Sequence, residues 1–280
     1  MCAAQTIPEP AMRPVAQKAA ALPVPSPGMR FLRSVVALLL REMETRYGRS
    51  PGGYIWALLG PLGGILLISM GFALVIHHPP LGSSFLLFYA TGYMVFTLYQ
   101  SVSTSVARSI TFSRALLSYP AVSWFDAVVA RLVLNSITSL VVTFVTFSVI
   151  LFVLGDTVSI RPMPLIEAMT LAILLGTGVG LMNCFLIGMF PVWALVWSIL
   201  TRPLFIASGV VLLYENLTDQ VQRILWWNPL LHVISIMRTA FYPSYQPEDL
   251  AVPYVVGVSL TLALSGLFLL RRWNREIIER

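Results

Sequence analysis

The chain is short of charge. Only 11% of its 280 residues are Asp, Glu, Lys or Arg, and 57% are hydrophobic. A soluble domain carries about 25% charged residues, because its surface has to face water. This chain cannot cover itself in that way, so most of its surface is built for lipid or for other membrane helices. Lysine is almost absent: Lys18 is the only one. A phosphate-binding loop needs a lysine behind a glycine-rich turn, and no such turn precedes Lys18, so that mode of ATP binding is excluded. Cysteine is equally scarce. Cys2 and Cys184 supply neither a disulfide framework nor a zinc-ligand spacing. The convergent titratable groups that an intramembrane enzyme requires are missing too. His77, His78 and His232 fall at the ends of apolar or hairpin segments, with Asp126 and Glu167 at boundaries. His77 and His78 are adjacent, point different ways on a helix and make a poor metal pair. No nucleophile, base and orienting group stand together.

What the sequence has is length of apolar run. The net charge of +6 does not signal nucleic acid, because the basic residues are not interleaved with aromatics in a soluble patch. They sit just outside the apolar runs, the distribution that orients a membrane protein. Residues 1–29 are rich in proline and alanine. They hold no apolar core of the kind a secretory signal needs, which predicts a disordered cytoplasmic tail. Residues 30–50 predict an amphipathic helix: Leu32, Val35, Val36, Leu39 and Met43 recur at helical spacing, with Arg33, Arg41 and Glu44 opposite. Gly48 is a natural stop. Its apolar run is too short to cross a bilayer, so it fits the interface; a soluble helix packed on another element is the alternative.

Six further runs approach or exceed the roughly 20 residues that a bilayer requires: 54–76, 85–107, 126–154, 165–189, 192–213 and 250–270. Gly60 and Gly64 in the first form a small-residue packing pattern. Arg271 and Arg272 close the last. Between the fifth and sixth, residues 215–241 are half polar and divide at Asn228-Pro229, an N-cap followed by a proline suited to a first turn. Two helices of about 10–13 residues, each too short to cross, predict a hairpin re-entering the outer leaflet. Trp226, Trp227, Tyr242 and Tyr245 would lie at headgroup depth. Fourteen of the eighteen basic residues fall on the side of the N-terminus, against Arg161, Arg223 and Arg238 on the other. With an even span count, both termini are cytoplasmic. The predicted fold is an all-α integral membrane protein. It has six transmembrane helices, an N-terminal amphipathic interface helix and a re-entrant helical hairpin between helices 5 and 6.

A few residues stand out as candidates for function. Arg202 lies inside the fifth run, beside Pro203, and a cation there is expensive. It contacts an anionic substrate, or it snorkels to headgroups or makes a structural hydrogen bond. Tyr89, Tyr93, Phe96 and Gln100 form one stripe of the second run, able to stack on sugar rings or simply to pack helices. Residues 112–124 form a cytoplasmic segment with Phe112, Arg114, Leu117, Tyr119 and Pro120. So many apolar side chains are costly to expose; they pack on a soluble partner or lie along the bilayer.

The run Arg41-Glu42-Met43-Glu44-Thr45-Arg46-Tyr47-Gly48-Arg49-Ser50, followed by Gly53-Tyr54, Trp56-Ala57 and Pro61, resembles the N-terminal signature of type-2 ABC exporter permeases, in their polysaccharide-export branch. Asn228-Pro229-Leu230-Leu231-His232, then Arg238 and Tyr242-Pro243-Ser244-Tyr245, resembles the hairpin of the capsule exporter permeases. The O-antigen and teichoic-acid permeases are more distant. Pro51-Gly52 and Gly60 depart from the pattern. The resemblance implies two copies of the chain in the Gram-negative inner membrane, with two separate ABC ATPase subunits that bind ATP and Mg; this chain itself holds no cofactor or metal. Arg41, Arg46, Tyr47, Arg49 and the 112–120 segment would meet the ATPases. A lipid-linked capsular polysaccharide would move from cytoplasm to periplasm, where a polysaccharide co-polymerase type adaptor and an outer-membrane exporter take it on. Other readings are a permease for another lipid-linked glycan or a small amphiphile, and a membrane enzyme.

Overall fold

The computed structural model of the chain describes residues 27–47, 53–74, 78–117, 122–155, 159–247 and 250–279. Among them every regular element is helical. Helix α1 (Pro27–Tyr47) is the amphipathic helix. Val35 and Leu38 face inward, while Leu32 and Leu40 are exposed. The tail expected over residues 1–29 falls outside the described residues up to 26, but its last three residues already belong to α1. Gly48 and Arg49 also lie outside them.

The bundle then runs α2 (Gly53–Ala73), α3 (Phe85–Ala107), α4 (Ser109–Leu117), α5 (Trp124–Leu154), α6 (Pro162–Met189), α7 (Trp193–Ala207), α8 (Asp219–Leu225), α9 (Pro229–Phe241) and α10 (Val252–Glu279). Among the described residues, five stretches are long and apolar enough to cross a membrane: α2, α3 with α4, α5, α6 and α10. Local chemistry sets their ends. Ser123 and Asp126 form a reciprocal capping box at the start of α5: Ser123 N donates to Asp126 Oδ2 at 3.0 Å, and Asp126 N to Ser123 Oγ at 3.2 Å. Gly155 ends α5 at φ +65°, in the left-handed region that favours glycine.

The fifth apolar run does not form one helix to residue 213. It gives α7, whose 15 residues span about 22 Å at 1.5 Å each, short of the roughly 30 Å hydrocarbon core. The chain then turns at Gly209, with φ +76°. The last run overshoots its prediction, since α10 continues through Arg271 and Arg272 to Glu279. The two arginines do not end the helix. The 112–124 segment, read as a loop, is partly helical: α4 leaves α3 after a one-residue break at Arg108.

Helix α3 lies at the centre, flanked by α2, α5, α6 and α9, and most of its residues are buried. Helix α6 packs on α3 with one face and on α10 with the other. Glycines allow both approaches. A Cβ at Gly180 would stand 2.9 Å from Ser103 O, and one at Gly178 would stand 2.5 Å from Ser259 O. The predicted Gly60/Gly64 pair does not act as a pair. Gly60 has nothing within 4 Å, whereas Gly64 receives the ring of Tyr93.

Candidate functional site

Helices α3 and α7 and the end of α6 line an open cavity of about 780 Å³. From α3 it takes Tyr93, Phe96, Gln100 and Thr104, with Arg108 just past its end; from α7 it takes Trp197, Thr201, Arg202 and Phe205. The α3 residues recur every three to four positions, so one helix face supplies the wall. Phe205 joins the walls: its ring lies edge-on to Phe96, with centroids 5.0 Å apart, and to Tyr93 at 6.1 Å. Gln100 Nε2 donates to Thr104 Oγ1 at 3.3 Å. Trp193 begins α7 with Nε1 donating to Asn183 Oδ1 at 2.8 Å, which ties α7 to α6.

The lining is aromatic and hydroxyl-bearing, and its charges are of one sign. Arg108 and Arg202 line the cavity with no Asp or Glu among its lining residues. Both arginines are exposed. Aromatic faces suit the apolar faces of sugar rings, while hydroxyls and amides suit their hydroxyls; free cations suit carboxylate or phosphate.

Four of the five sequence-predicted pathway residues, Tyr93, Phe96, Gln100 and Arg202, thus line one cavity. Tyr89 does not. It is 1% exposed and packs against Phe72 at 5.3 Å and Phe88 at 5.3 Å, because α2 closes over the outer end of α3. Sequence reading missed Arg108, Trp197, Thr201 and Phe205. The i+15 step from Tyr93 to Arg108 was the available signal.

The hairpin residues form a second cluster that shares nothing with the cavity lining. Asn228 caps α9, its Oδ1 accepting from Leu230 N at 3.1 Å, with Pro229 in the first turn. Asn228 Nδ2 also donates to Ala207 O at 3.1 Å. Trp226 stacks on Tyr254 of α10 at 5.3 Å and meets His232 edge-on at 5.4 Å, while Trp227 projects outward. His232 Nε2 lies 2.8 Å from Trp226 O. Arg238 is wholly buried. Its Nη2 donates to Gly209 O at 2.7 Å and Val210 O at 3.3 Å, its Nη1 to Leu212 O at 3.4 Å, and its guanidinium covers the Phe88 ring. It therefore holds the chain where α7 breaks off. Tyr242 and Tyr245, expected at headgroup depth, are buried among protein side chains, each 7% exposed. Tyr245 donates its hydroxyl to Glu215 Oε1 at 2.7 Å; burial, then this carboxylate, push its pKa up.

Of the residues expected to meet the ATPases, Arg41 and Arg114 are exposed, Phe112 is about half exposed and Leu117 is half-buried. The side chains of Arg46 and Tyr47 lie outside the described residues, as do Arg49, Tyr119 and Pro120. Among the described residues, no three His, Cys, Asp or Glu stand close enough to hold a metal.

A helical bundle around a central apolar helix, with a half-length helix beside a cavity, places the chain among multi-span α-helical membrane proteins. The chain belongs to the ABC-2 type transporter family, whose pattern matches residues 33–242. Among its relatives is the polysialic acid transport protein KpsM of Escherichia coli, 30% identical over 239 residues, which cover 85% of this chain and 92% of that one. The capsule polysaccharide export inner-membrane proteins BexB of Haemophilus influenzae and CtrC of Neisseria meningitidis are 25% and 24% identical, each over 88% of this chain and 92% of their own.

Proposed function

We propose that the chain is the membrane-spanning subunit of an ATP-driven exporter that moves lipid-linked capsular polysaccharide from cytoplasm to periplasm. The cavity carries this reading. Aromatic faces, hydroxyls and two cations on one lining fit an acidic glycan better than a purely apolar amphiphile. The polysaccharide transport and export that KpsM, BexB and CtrC are named for support the same substrate class.

Two copies would pair so that their cavities face a shared pathway. Helix α7, with no residue buried in one protomer, and α2, mostly exposed, are the natural faces to meet. Helix α7 counts as the fifth of six spans, completed outwards by the residues 208–213 that Arg238 holds. Residues 215–241 form the re-entrant hairpin, and both termini are cytoplasmic in a Gram-negative inner membrane. ATP and Mg belong to two partner ATPase subunits, which dock on α1 and on α4 with residues 118–120. ATP-driven closure of the ATPase pair would rock the permease halves. A periplasmic adaptor and an outer-membrane exporter take the glycan onward.

The test is reconstitution of this chain with its ATPase in vesicles, with an acidic glycolipid and a neutral one offered separately. ATP-dependent transfer of the acidic glycan is the expected result. Transfer of a small amphiphile but of neither glycan would overturn the proposal.

A further inference from the structure

Arg131 is the most heavily engaged charge in the cytoplasmic half of the molecule. It lies in the third turn of α5, behind the capping box. Its Nη2 stands 3.1 Å from Glu42 Oε1 of α1, and the two side chains are only 9% and 10% exposed. Its Nη1 donates to Ser105 O in the last turn of α3 at 3.4 Å. Its guanidinium covers the ring of Phe112 in α4 at 4.0 Å. One side chain of α5 thus touches α1, α3 and α4. The space left between α1, α4 and α5 there is about 10 Å³, room for one water at most.

Around it sits a small apolar nucleus separate from the main core. Val35 and Leu38 of α1 and Ala130 of α5 are buried together, with Leu116 of α4 against them. Helix α1 rests mainly on α5. A buried ion pair is a poor source of net stability, and its well-attested use is to fix one arrangement. Here the arrangement joins the cytoplasmic elements to Ser105, which also lines the transport cavity.

We infer that Arg131 is a positioning residue that clamps α1 and α4 to α5 and α3, so that movement imposed at the cytoplasmic face reaches the cavity wall. This rests on the proposed docking of an ATPase at α1 and α4. With the clamp intact, α1 and α4 move as one block with the end of α3. With it broken, they slip, and hydrolysis proceeds without export.

The test uses the full permease–ATPase complex in vesicles. Glu42→Gln and Arg131→Gln break the pair, Glu42→Asp shortens its reach, and Glu42→Arg with Arg131→Glu reverses it. Export per ATP hydrolysed is expected to fall about tenfold in the first two and less in the third, with partial recovery in the reversed pair. Permease abundance and ATPase co-purification are measured beside it. Normal export per ATP in any folded pair-breaking variant overturns the inference. So does loss of abundance in step with export, with no uncoupling in the protein that survives, because that is a purely structural role. Docking is read separately by crosslinking Thr111→Cys, on the exposed side of α4, to the ATPase in a Cys2→Ser background. No crosslink with the pair intact removes the docking reading and the inference with it; a crosslink with coupling unchanged in the variants removes the inference alone.

Discussion

Two arginines in the outward-leading half of the chain have opposite fates. Arg202 projects into the cavity, while Arg238 is buried against three backbone carbonyls. In the sequence Arg202 stands out as a cation inside an apolar run, and Arg238 as a cation of the hairpin motif between the fifth and sixth runs. Arg202→Ala is expected to reduce transfer of an acidic glycan on the order of tenfold, the worth of one charge-assisted contact, with normal membrane abundance. Arg202→Lys should retain most of it. Vesicle transport of acidic against neutral glycan measures this, and equal loss for both would rule out charge recognition. Arg238→Ala belongs to stability instead. It leaves the carbonyls of Gly209, Val210 and Leu212 without their donor, at about 1–3 kcal/mol for each one left dry. The expected outcome is a lower midpoint of thermal unfolding in detergent and faster proteolysis between α7 and α8. An unchanged midpoint would refute the holding role.

At the level of helices, the sequence predicted the long elements well because one term dominates them. Leaving a backbone amide unpaired in hydrocarbon costs several kcal/mol, so an apolar run of sufficient length has to be helical, and α3 begins and ends at the predicted residues. What length alone could not give was where a helix stops inside an apolar run. Residues 208–213 are as apolar as α7, and the break follows from Gly209, Asn228 and Arg238 meeting there from distant positions. Half of the cavity was legible as the α3 stripe, because period alone reveals a shared face. The α7 half was not, since nothing local says which face of a short helix looks inward. The glycine seams of α6 were equally hidden among apolar neighbours. Gly180→Val is expected to force α6 and α3 apart, costing about 1–3 kcal/mol by overpacking. Its signature would be a lower unfolding midpoint and reduced abundance. The same substitution at Gly60, which meets nothing within 4 Å, should leave the isolated protomer's stability unchanged.

For the molecule as a whole, sidedness is the organising property. In the proposed orientation, basic residues gather at the cytoplasmic end, α1 and α4 lie there with them, and the charged residues lining the cavity beside α7 are all cations. One consequence is electrical. The cytoplasm of an energised bacterium is negative, so an anion leaving it moves downhill by about 2.3 kcal/mol per charge per 100 mV. A cavity that held carboxylates would oppose that drift, whereas Arg108 and Arg202 lower the barrier for it. Dissipating the voltage with a potassium ionophore at constant ATP should therefore slow a polyanionic glycan more than a neutral one, and replacing both arginines should shrink the difference. The same pair of side chains would then let the transporter draw on the resting battery of the cell as well as on nucleotide.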